Sequence, residues 1–235
     1  MTPGIRAIVF DLDGCLVDSE PLSLEAVAAE IRAAGLPDVT AEAVGRKYLG
    51  VTIAKISSDV SQAVGRDCSL GFADRIEARL FAEYTHRLER IDGVIDLLDR
   101  LKAAGIRMSI ASGSSSRRLA RTLEIAGLSP YFEGTAFSAD LVAQGKPAPD
   151  VFLLAARAMG VEPASCAVLE DSPHGIAGAV AAGMRAIGFV GGSHLTASRA
   201  SHRDILMAAG ATAVIDHLSG AFAALTAAPQ AAVSR

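Results

Sequence analysis

Two aspartates, Asp11 and Asp13, directly follow a short apolar segment near the start of the chain. Residues i and i+2 of an extended strand point to the same side, so this spacing brings both carboxyl groups together where the strand ends. Unpaired buried carboxylates are costly, which makes such a pair unsuited to a hydrophobic core. The pair is well suited to binding a hard divalent cation and to presenting a nucleophilic carboxylate. The segment therefore predicts phosphoryl-transfer chemistry.

Three further polar clusters lie at or near the predicted ends of other strands: Ser112–Ser114, Lys146–Asp150 and Glu170–Ser172. The carboxyl ends of parallel strands share one edge of a sheet, and ligands bind beyond that edge. All four clusters are therefore expected to converge on one site.

The residue types in these clusters fit one reaction. Mg²⁺ prefers carboxylate oxygens and retains water, so Asp11 and Asp171 are candidate ligands, with Glu170 acting through water. Asp11 beside a metal stays ionised and can attack phosphorus. Asp13 is then the candidate acid that protonates the leaving oxygen and the base that deprotonates water.

The remaining groups are donors that suit a phosphoryl group in transfer. Hydroxyl and amide donors of Ser112 and Gly113, together with the ammonium group of Lys146, are placed to stabilise charge on its oxygens. Taken alone, Lys146 in its Pro-rich loop would be interpreted as a solvated lysine. The prediction for this lysine therefore depends on the other clusters.

The elements that must position these residues alternate between strands and helices on both sides of a helical insertion. Strands are predicted at Ile5–Phe10, Ile106–Ala111, Gly134–Phe137, Cys166–Leu169, Ala186–Val190 and Ala213–Ile215. Helices are predicted between them at Val94–Ala104, Ser115–Ala126, Pro149–Met159 and Pro173–Ala182, with a final helix after the last strand. Such alternation predicts an α/β fold, a doubly wound parallel sheet with helices on both faces.

Residues 20–90 differ from the rest because they have helical periodicity and no comparable strand. One helix begins near Pro21 and ends at Gly35, a second covers Ala41–Tyr48, a third follows Gly50, and a fourth spans Phe72–Leu88. We therefore expect an inserted helical domain at residues 20–90. At the other end of the chain, we expect a frayed Ala-rich tail after Leu225.

Composition excludes several classes of partner. The 235 residues are 51% apolar and 20% charged, which indicates a globular chain with a sizeable core. A formal net charge of −4 argues against nucleic acid or an anionic membrane as the main partner. Three widely spaced cysteines without metal-binding spacing, and an N-terminus without a signal-peptide pattern, favour a reducing cytoplasm.

Four segments in this order resemble the four motifs of the haloacid dehalogenase (HAD) superfamily, most closely its β-phosphoglucomutase-like and sugar-phosphate phosphatase branch. They are Asp-Leu-Asp-Gly-Cys-Leu-Val-Asp-Ser at 11–19, Ala-Ser-Gly-Ser at 111–114, Gly-Lys-Pro-Ala-Pro-Asp at 145–150, and Leu-Glu-Asp-Ser-Pro-His-Gly-Ile at 169–176. The resemblance implies a Rossmann-like core made of residues 1–15 and 91–235. It implies a helical cap at residues 16–90, inserted after the first motif.

The resemblance also implies roles. Asp11 would be the nucleophile that forms an aspartyl-phosphate, and Asp13 the general acid and base. The implied magnesium ligands are Asp11, the backbone carbonyl of Asp13, Glu170 and Asp171. The implied phosphate-binding residues are Gly14, Ser112, Gly113 and Lys146. Candidates for substrate selection in the cap are Arg46, Lys47, Thr52 and Lys55.

Three functions remain open at this stage. The favoured one is an Mg²⁺-dependent phosphatase that hydrolyses a small sugar, sugar-acid or polyol phosphate, as a monomer or weak homo-oligomer. The alternative is an intramolecular phosphotransferase similar to β-phosphoglucomutase. The mutases of that branch carry the sequence Gly-Val-Ser-Arg in the cap. The similar segment of this chain is Gly50-Val51-Thr52-Ile53, which lacks the arginine. A non-catalytic binding protein is the third possibility, and the intact motif acids argue against it.

Three residues near the motifs are expected to have structural or surface roles. Arg118 lies at the start of a helix, where arginine is normally solvent-facing. His194 is expected at the surface, and contact with the substrate from a closing loop is the alternative. Cys15 is expected to be a small packing residue whose thiol has a raised pKa beside the two carboxylates.

Overall fold

The computed structural model describes residues 4–48 and 51–227. Within them the chain divides into two compact units, with boundaries between Asp18 and Ser19 and between Glu89 and Arg90. Val17 forms isolated bridges with Asp13 and Arg90, which keeps residues 16–18 with the first unit. The first unit carries the sheet, and the second is helical.

The sheet of the first unit contains six parallel strands in the order β3-β2-β1-β4-β5-β6. The strands are β1 Ala7–Phe10, β2 Arg107–Ser112, β3 Ala136–Ser138, β4 Cys166–Glu170, β5 Arg185–Phe189 and β6 Ala213–Ile215. From β1 the chain adds β2 and β3 on one side of the sheet and then β4, β5 and β6 on the other. The strand order therefore switches between β1 and β4, which is where a doubly wound sheet forms its ligand crevice. The predicted α/β class is confirmed.

Helices of both units account for most of the remaining described residues. The helical unit holds α1 Glu20–Ala34, α2 Ala41–Tyr48, α3 Ile53–Val64 and α4 Phe72–Arg87. The sheet unit holds α5 Val94–Ala103, α6 Ser116–Ile125, α7 Asp150–Met159, α8 Pro173–Ala181, α9 Arg199–Ala208 and α10 Ala221–Thr226. No helix in the described ranges is both long and apolar enough to cross a membrane.

The core covers both faces of the sheet. Ala7 and Val9 of β1 belong to a buried cluster that includes residues of α7 and α8, such as Phe152 and Ile176. Ile8 and Phe10 point to the opposite face and are also fully buried. Strands buried on both faces read as continuous apolar runs, which is why β1 and β4 were recognisable from sequence.

One helix was not predicted. The sequence pattern predicts no helix between β5 and β6, whereas α9 occupies Arg199–Ala208. Leu206 is the one buried residue of this helix, so the sequence has no apolar stripe at helical spacing there. The predicted third cap helix begins at Ile53 after the Thr52 N-cap. Gly50 and the predicted frayed tail beyond residue 227 lie outside the described residues.

Candidate active site

Three of the four polar clusters, those of Asp11, Ser112 and Glu170, stand at the carboxyl edge of the sheet. Asp11 comes directly after β1, and its backbone N–H donates to the Leu169 carbonyl of β4 at 2.9 Å. Ser112 ends β2 and Glu170 ends β4. Gly14, with φ of +79°, allows the tight turn that follows Asp13.

Lys146 joins two of the motif acids. Its Nζ donates to Asp11 Oδ1 and to Glu170 Oε2, each at 2.6 Å. Burial alone would lower the pKa of Lys146, but the two carboxylates outweigh it and raise that pKa above its ordinary value. Gly175 of α8 leaves the room for Glu170, since a β carbon there would overlap the Glu170 carboxylate. Lys146 is therefore a charged residue of the site and not a solvated loop lysine.

Asp13 is held by a different pair of donors. Ser114 Oγ donates to Asp13 Oδ2 at 2.7 Å, and Arg118 Nη2 donates to Asp13 Oδ1 at 2.9 Å. The Arg118 side chain is only 16% exposed, so the expectation that it faces solvent was wrong. Ser115 caps α6 by accepting from the Arg118 backbone N–H. This cap fixes the first turn from which Arg118 reaches Asp13.

The loop after β2 holds the two candidate phosphate donors. Ser112 is buried, and its Oγ accepts the backbone N–H of Ser114 at 3.0 Å. Gly113 is exposed, and a β carbon at this position would meet nothing within 4 Å. The Ser112–Ser114 loop thus turns at the sheet edge with the backbone of Gly113 accessible.

The donor set of the site fits a divalent cation. Oxygens of Asp11 and Asp171 lie within 4.8 Å of each other and of Cys15 Sγ, and all three residues are buried. Burial, reinforced mainly by Glu170, raises the pKa of Asp11 well above its ordinary value, although Lys146 opposes this. With all four motif carboxyl groups ionised, one ammonium and one guanidinium balance two of the four negative charges, and a divalent cation would balance the other two.

Glu170 is an implied ligand that does not belong to this group, and for Asp13 the implied ligand is the backbone carbonyl and not the side chain. The side chains of Glu170 and Asp13 are engaged by Lys146 and by Arg118 with Ser114, and neither is among the three grouped residues. Cys15 is fully buried, and burial followed by the neighbouring carboxylates raises its pKa well above the ordinary value. A thiol that stays protonated is a poor ligand for a hard cation, so Asp11 and Asp171 are the suitable side chains.

His194 is a site neighbour that the sequence interpretation placed elsewhere. Its side chain is 6% exposed, and its Nε2 lies 3.3 Å from Asp171 Oδ2. The expectation of a surface histidine was therefore wrong. The residue stands in a short 3-10 helix after β5, Ser193–Leu195, and a single sequence gives no spacing rule that would point this segment toward Asp171.

The four candidates in the helical unit make local contacts. Arg46 pairs with Glu42, and Lys55 pairs with Asp59, both one helical turn away and each at 2.5 Å. The ammonium group of Lys47 lies 4.7 Å from the centre of the Tyr48 ring. Thr52 accepts the Lys55 backbone N–H as the N-cap of α3.

Comparison with known proteins settles the family. A model of the haloacid dehalogenase-like hydrolases matches residues 5–183. The chain belongs to this family. The resemblance inferred from the four motifs is thereby confirmed.

Relatives within the family include two phosphatases of Escherichia coli K12. Hexitol phosphatase A is 34% identical over 183 residues, which cover 77% of this chain and 82% of that protein. Fructose-1-phosphate phosphatase YqaB is 34% identical over 187 residues, which cover 77% of this chain and 94% of that protein. The prediction of a HAD-like phosphatase is confirmed at this level.

A solved structure is similar over nearly the whole chain. The haloacid dehalogenase-like protein ATU0790 of Agrobacterium tumefaciens C58, described as of unknown function, is 39% identical with a TM-score of 0.78. The match covers 94% of this chain and 97% of that one. The HAD-like hydrolase fold therefore extends beyond the segment matched by the family model.

Proposed function

We propose that this HAD-like phosphatase hydrolyses a small sugar or polyol phosphate through a covalent phosphoryl-Asp11 intermediate. The observation that carries the proposal is the pair of separately held carboxylates at the sheet edge. Lys146 holds Asp11, whereas Ser114 and Arg118 hold Asp13. A nucleophile and a proton-transfer group need this kind of independent support. The names of the two E. coli relatives support the substrate class.

The proposed reaction has two displacements at phosphorus. Asp11 attacks phosphorus, the bond to the ester oxygen breaks, and protonated Asp13 donates its proton to that oxygen. Asp13 then takes a proton from water, which attacks the phosphoryl group on Asp11 and releases inorganic phosphate. Lys146, Ser112 and the Gly113 backbone supply donors for the charge on the transferring group.

Asp11 and Asp171, with the backbone carbonyl of Asp13, are the groups proposed to hold Mg²⁺. A cation there would supply positive charge next to the developing negative charge of the phosphoryl group. Glu170 is proposed to act through Lys146, with which it makes a direct ion pair, and through bound water.

A mutase is not favoured. An intramolecular phosphotransferase must hold a bisphosphorylated intermediate at both ends, and charged donors do so best. Ile53, the first residue of α3, stands where the mutase pattern has arginine, and the two E. coli relatives described above are named as phosphatases.

The helical unit is proposed to act as the substrate-selecting cap. Arg46, Lys47, Thr52 and Lys55 are its candidate contacts, as the sequence analysis expected. Substitution of Lys47 or Lys55 by alanine is then expected to change the ranking of substrates and to leave metal activation unchanged.

The proposal is tested by phosphate release from a panel of phosphorylated metabolites with Mg²⁺. The panel contains hexose, pentose and polyol phosphates, 6-phosphogluconate, phosphoglycolate and β-glucose 1-phosphate, and Asp11→Asn serves as the blank. Release from a few sugar or polyol phosphates, absent in the blank, is the expected result. Release that appears only after a catalytic amount of bisphosphate is added would instead indicate a mutase.

A further inference from the structure

Two of the five histidines lie against Asp171, while the other three, His86, His174 and His217, are exposed. His194 Nε2 lies 3.3 Å from the Oδ2 atom of Asp171. His202 Nε2 lies 2.6 Å from the backbone carbonyl oxygen of the same residue. A carbonyl oxygen can only accept, so Nε2 of His202 carries the hydrogen. The two imidazoles therefore hold both the side chain and the backbone of Asp171.

The slot for the His194 ring is built from glycine backbones. A β carbon on Gly14 would overlap Asp171 Oδ2 and would lie 2.9 Å from His194 Cε1. A β carbon on Gly192 would lie 2.7 Å from the same ring atom. Any larger residue at either position would displace the imidazole or the carboxylate that it contacts. The contact between His194 and Asp171 thus depends on two glycines from separate loops.

The segment that carries His194 is tied to the sheet unit on both sides. The Ser193 backbone N–H donates to Asp18 Oδ1 at 3.2 Å. Arg199, at the start of α9, donates from Nε to the Val190 carbonyl at 2.9 Å. His202 lies one turn further along α9. The unpredicted helix and the loop before it therefore present both histidines from a fixed frame.

We propose that His194 and His202 are positioning residues that fix Asp171 in the orientation in which it binds the metal. This inference rests on the proposed function, which assigns Asp171 to Mg²⁺. A carboxylate that is already ordered loses less conformational freedom when the cation binds. Partners that orient metal ligands in this way are worth about 10–100-fold in metal affinity or activity.

Metal binding by the whole chain tests the inference without substrate. Mn²⁺ is titrated into each variant, and the free ion is followed by electron paramagnetic resonance. Gln places its amide near the Nε2 position of histidine, whereas Asn reaches only as far as Nδ1. We expect His194→Asn to weaken Mn²⁺ affinity by about tenfold or more and His194→Gln to recover most of it. His217→Asn, an exposed histidine of the same unit, is expected to bind like wild type.

Kinetics separates positioning from a merely structural role. In His194→Asn and His202→Ala, the Mg²⁺ concentration for half activation is expected to rise about tenfold. At saturating Mg²⁺, kcat and the KM for the phosphate ester are expected to return close to wild type. A residue needed only for packing would lower the unfolding temperature without changing metal affinity.

Two outcomes overturn different claims. If Mn²⁺ binds Asp171→Asn as tightly as wild type, the metal assignment in the proposed function fails, and this inference fails with it. If Asp171→Asn loses Mn²⁺ but His194→Asn and His202→Ala bind it like wild type, the metal assignment stands and the positioning role is refuted. Circular dichroism verifies that each variant is folded. If His194→Asn does not fold, the Mn²⁺ affinity of His202→Ala decides whether the positioning role stands.

Discussion

At the scale of single residues, the site separates two aspartates that are only two positions apart. Asp11 is paired with Lys146, and Asp13 with Arg118 and Ser114. In the proposed reaction, this separation would let the Asp11 carboxylate act on phosphorus and the Asp13 carboxylate act on protons. It also makes the contributions of the two aspartates measurable independently.

Replacement of Asp13 by asparagine is expected to slow turnover without loss of the metal. General acid–base groups contribute about 10²–10⁴-fold, so kcat should fall within that range. The Asp13 side chain lies outside the group of metal-binding candidates, so Mn²⁺ affinity should stay near the wild-type value. Steady-state kinetics and the Mn²⁺ titration measure the two effects. A parallel loss of metal affinity would show that this side chain is needed for metal binding.

Arg118→Ala is expected to lower kcat by about tenfold or more, because a small misplacement of a catalytic group is costly. The matched control is Arg117→Ala, which changes the exposed neighbour on the same helical turn. Equal kcat values for the two variants would mean that the contact between Arg118 and Asp13 has no role in turnover.

Motif residues could be predicted from the sequence because their spacing relative to strand ends is local. Asp11, Ser112 and Glu170 stand at or directly after strand ends, as expected. Arg118 and His194 were misplaced because their partners are distant in sequence. Which side of a helix or loop faces the sheet edge depends on packing that a single sequence does not reveal.

At the scale of elements, strands and helices were predictable where both faces are buried or where one apolar stripe is continuous. The ends of helices were predictable from glycine residues just beyond them, as at Gly35, whose φ is +120°, and at Gly105, whose φ is +69°. Helix α9 was missed because it contributes one buried residue. The order of the strands in the sheet was likewise not contained in local patterns.

A buried acid links two helices of the helical unit. Glu30 of α1 has a side chain that is 3% exposed and accepts from Arg75 and Arg79 of α4 at 2.6 and 3.3 Å. Hydrogen bonds to charged groups contribute about 1.5–3 kcal/mol, so Glu30→Gln should reduce the free energy of unfolding by about 2 kcal/mol. Denaturant-induced unfolding followed by circular dichroism measures the change.

Glu25→Gln is the matched control for this prediction. Glu25 pairs with Arg87 between the same two helices, but both side chains are about half exposed, at 46% and 48%. Exposed ion pairs contribute about 0–1 kcal/mol, so this variant should lose little stability. If both variants lose the same free energy of unfolding, burial does not account for the stabilisation that the Glu30 contact provides.

At the scale of the whole molecule, all three cysteines are free and buried, with Cys15 and Cys166 in the sheet unit and Cys68 in the helical unit. Burial, with a smaller effect of Glu162, raises the pKa of Cys166 to about 11. Thiol reagents attack the thiolate, so labelling of the folded protein near pH 8 should be slow. Denaturant should release three reactive thiols per chain.

Labelling followed by peptide mapping measures the rate at each cysteine and so reports on the opening of each unit. Fast labelling of Cys15 in the folded protein would contradict the buried position that the structure gives it. Faster labelling of Cys68 than of Cys15 would instead show that the helical unit opens more readily than the sheet unit.

The most direct test of the account follows the phosphoryl group to Asp11. A hexitol or hexose phosphate that carries ³²P in its phosphate group is used as substrate. Turnover is quenched in acid, in which acyl phosphates persist, and the digested peptides are mapped for label. We expect label on the peptide that contains Asp11 in the wild type, none in Asp11→Asn, and a loss of turnover in that variant of at least about 10³-fold. Absence of label during wild-type turnover, together with continued phosphate release by Asp11→Asn, would contradict the account.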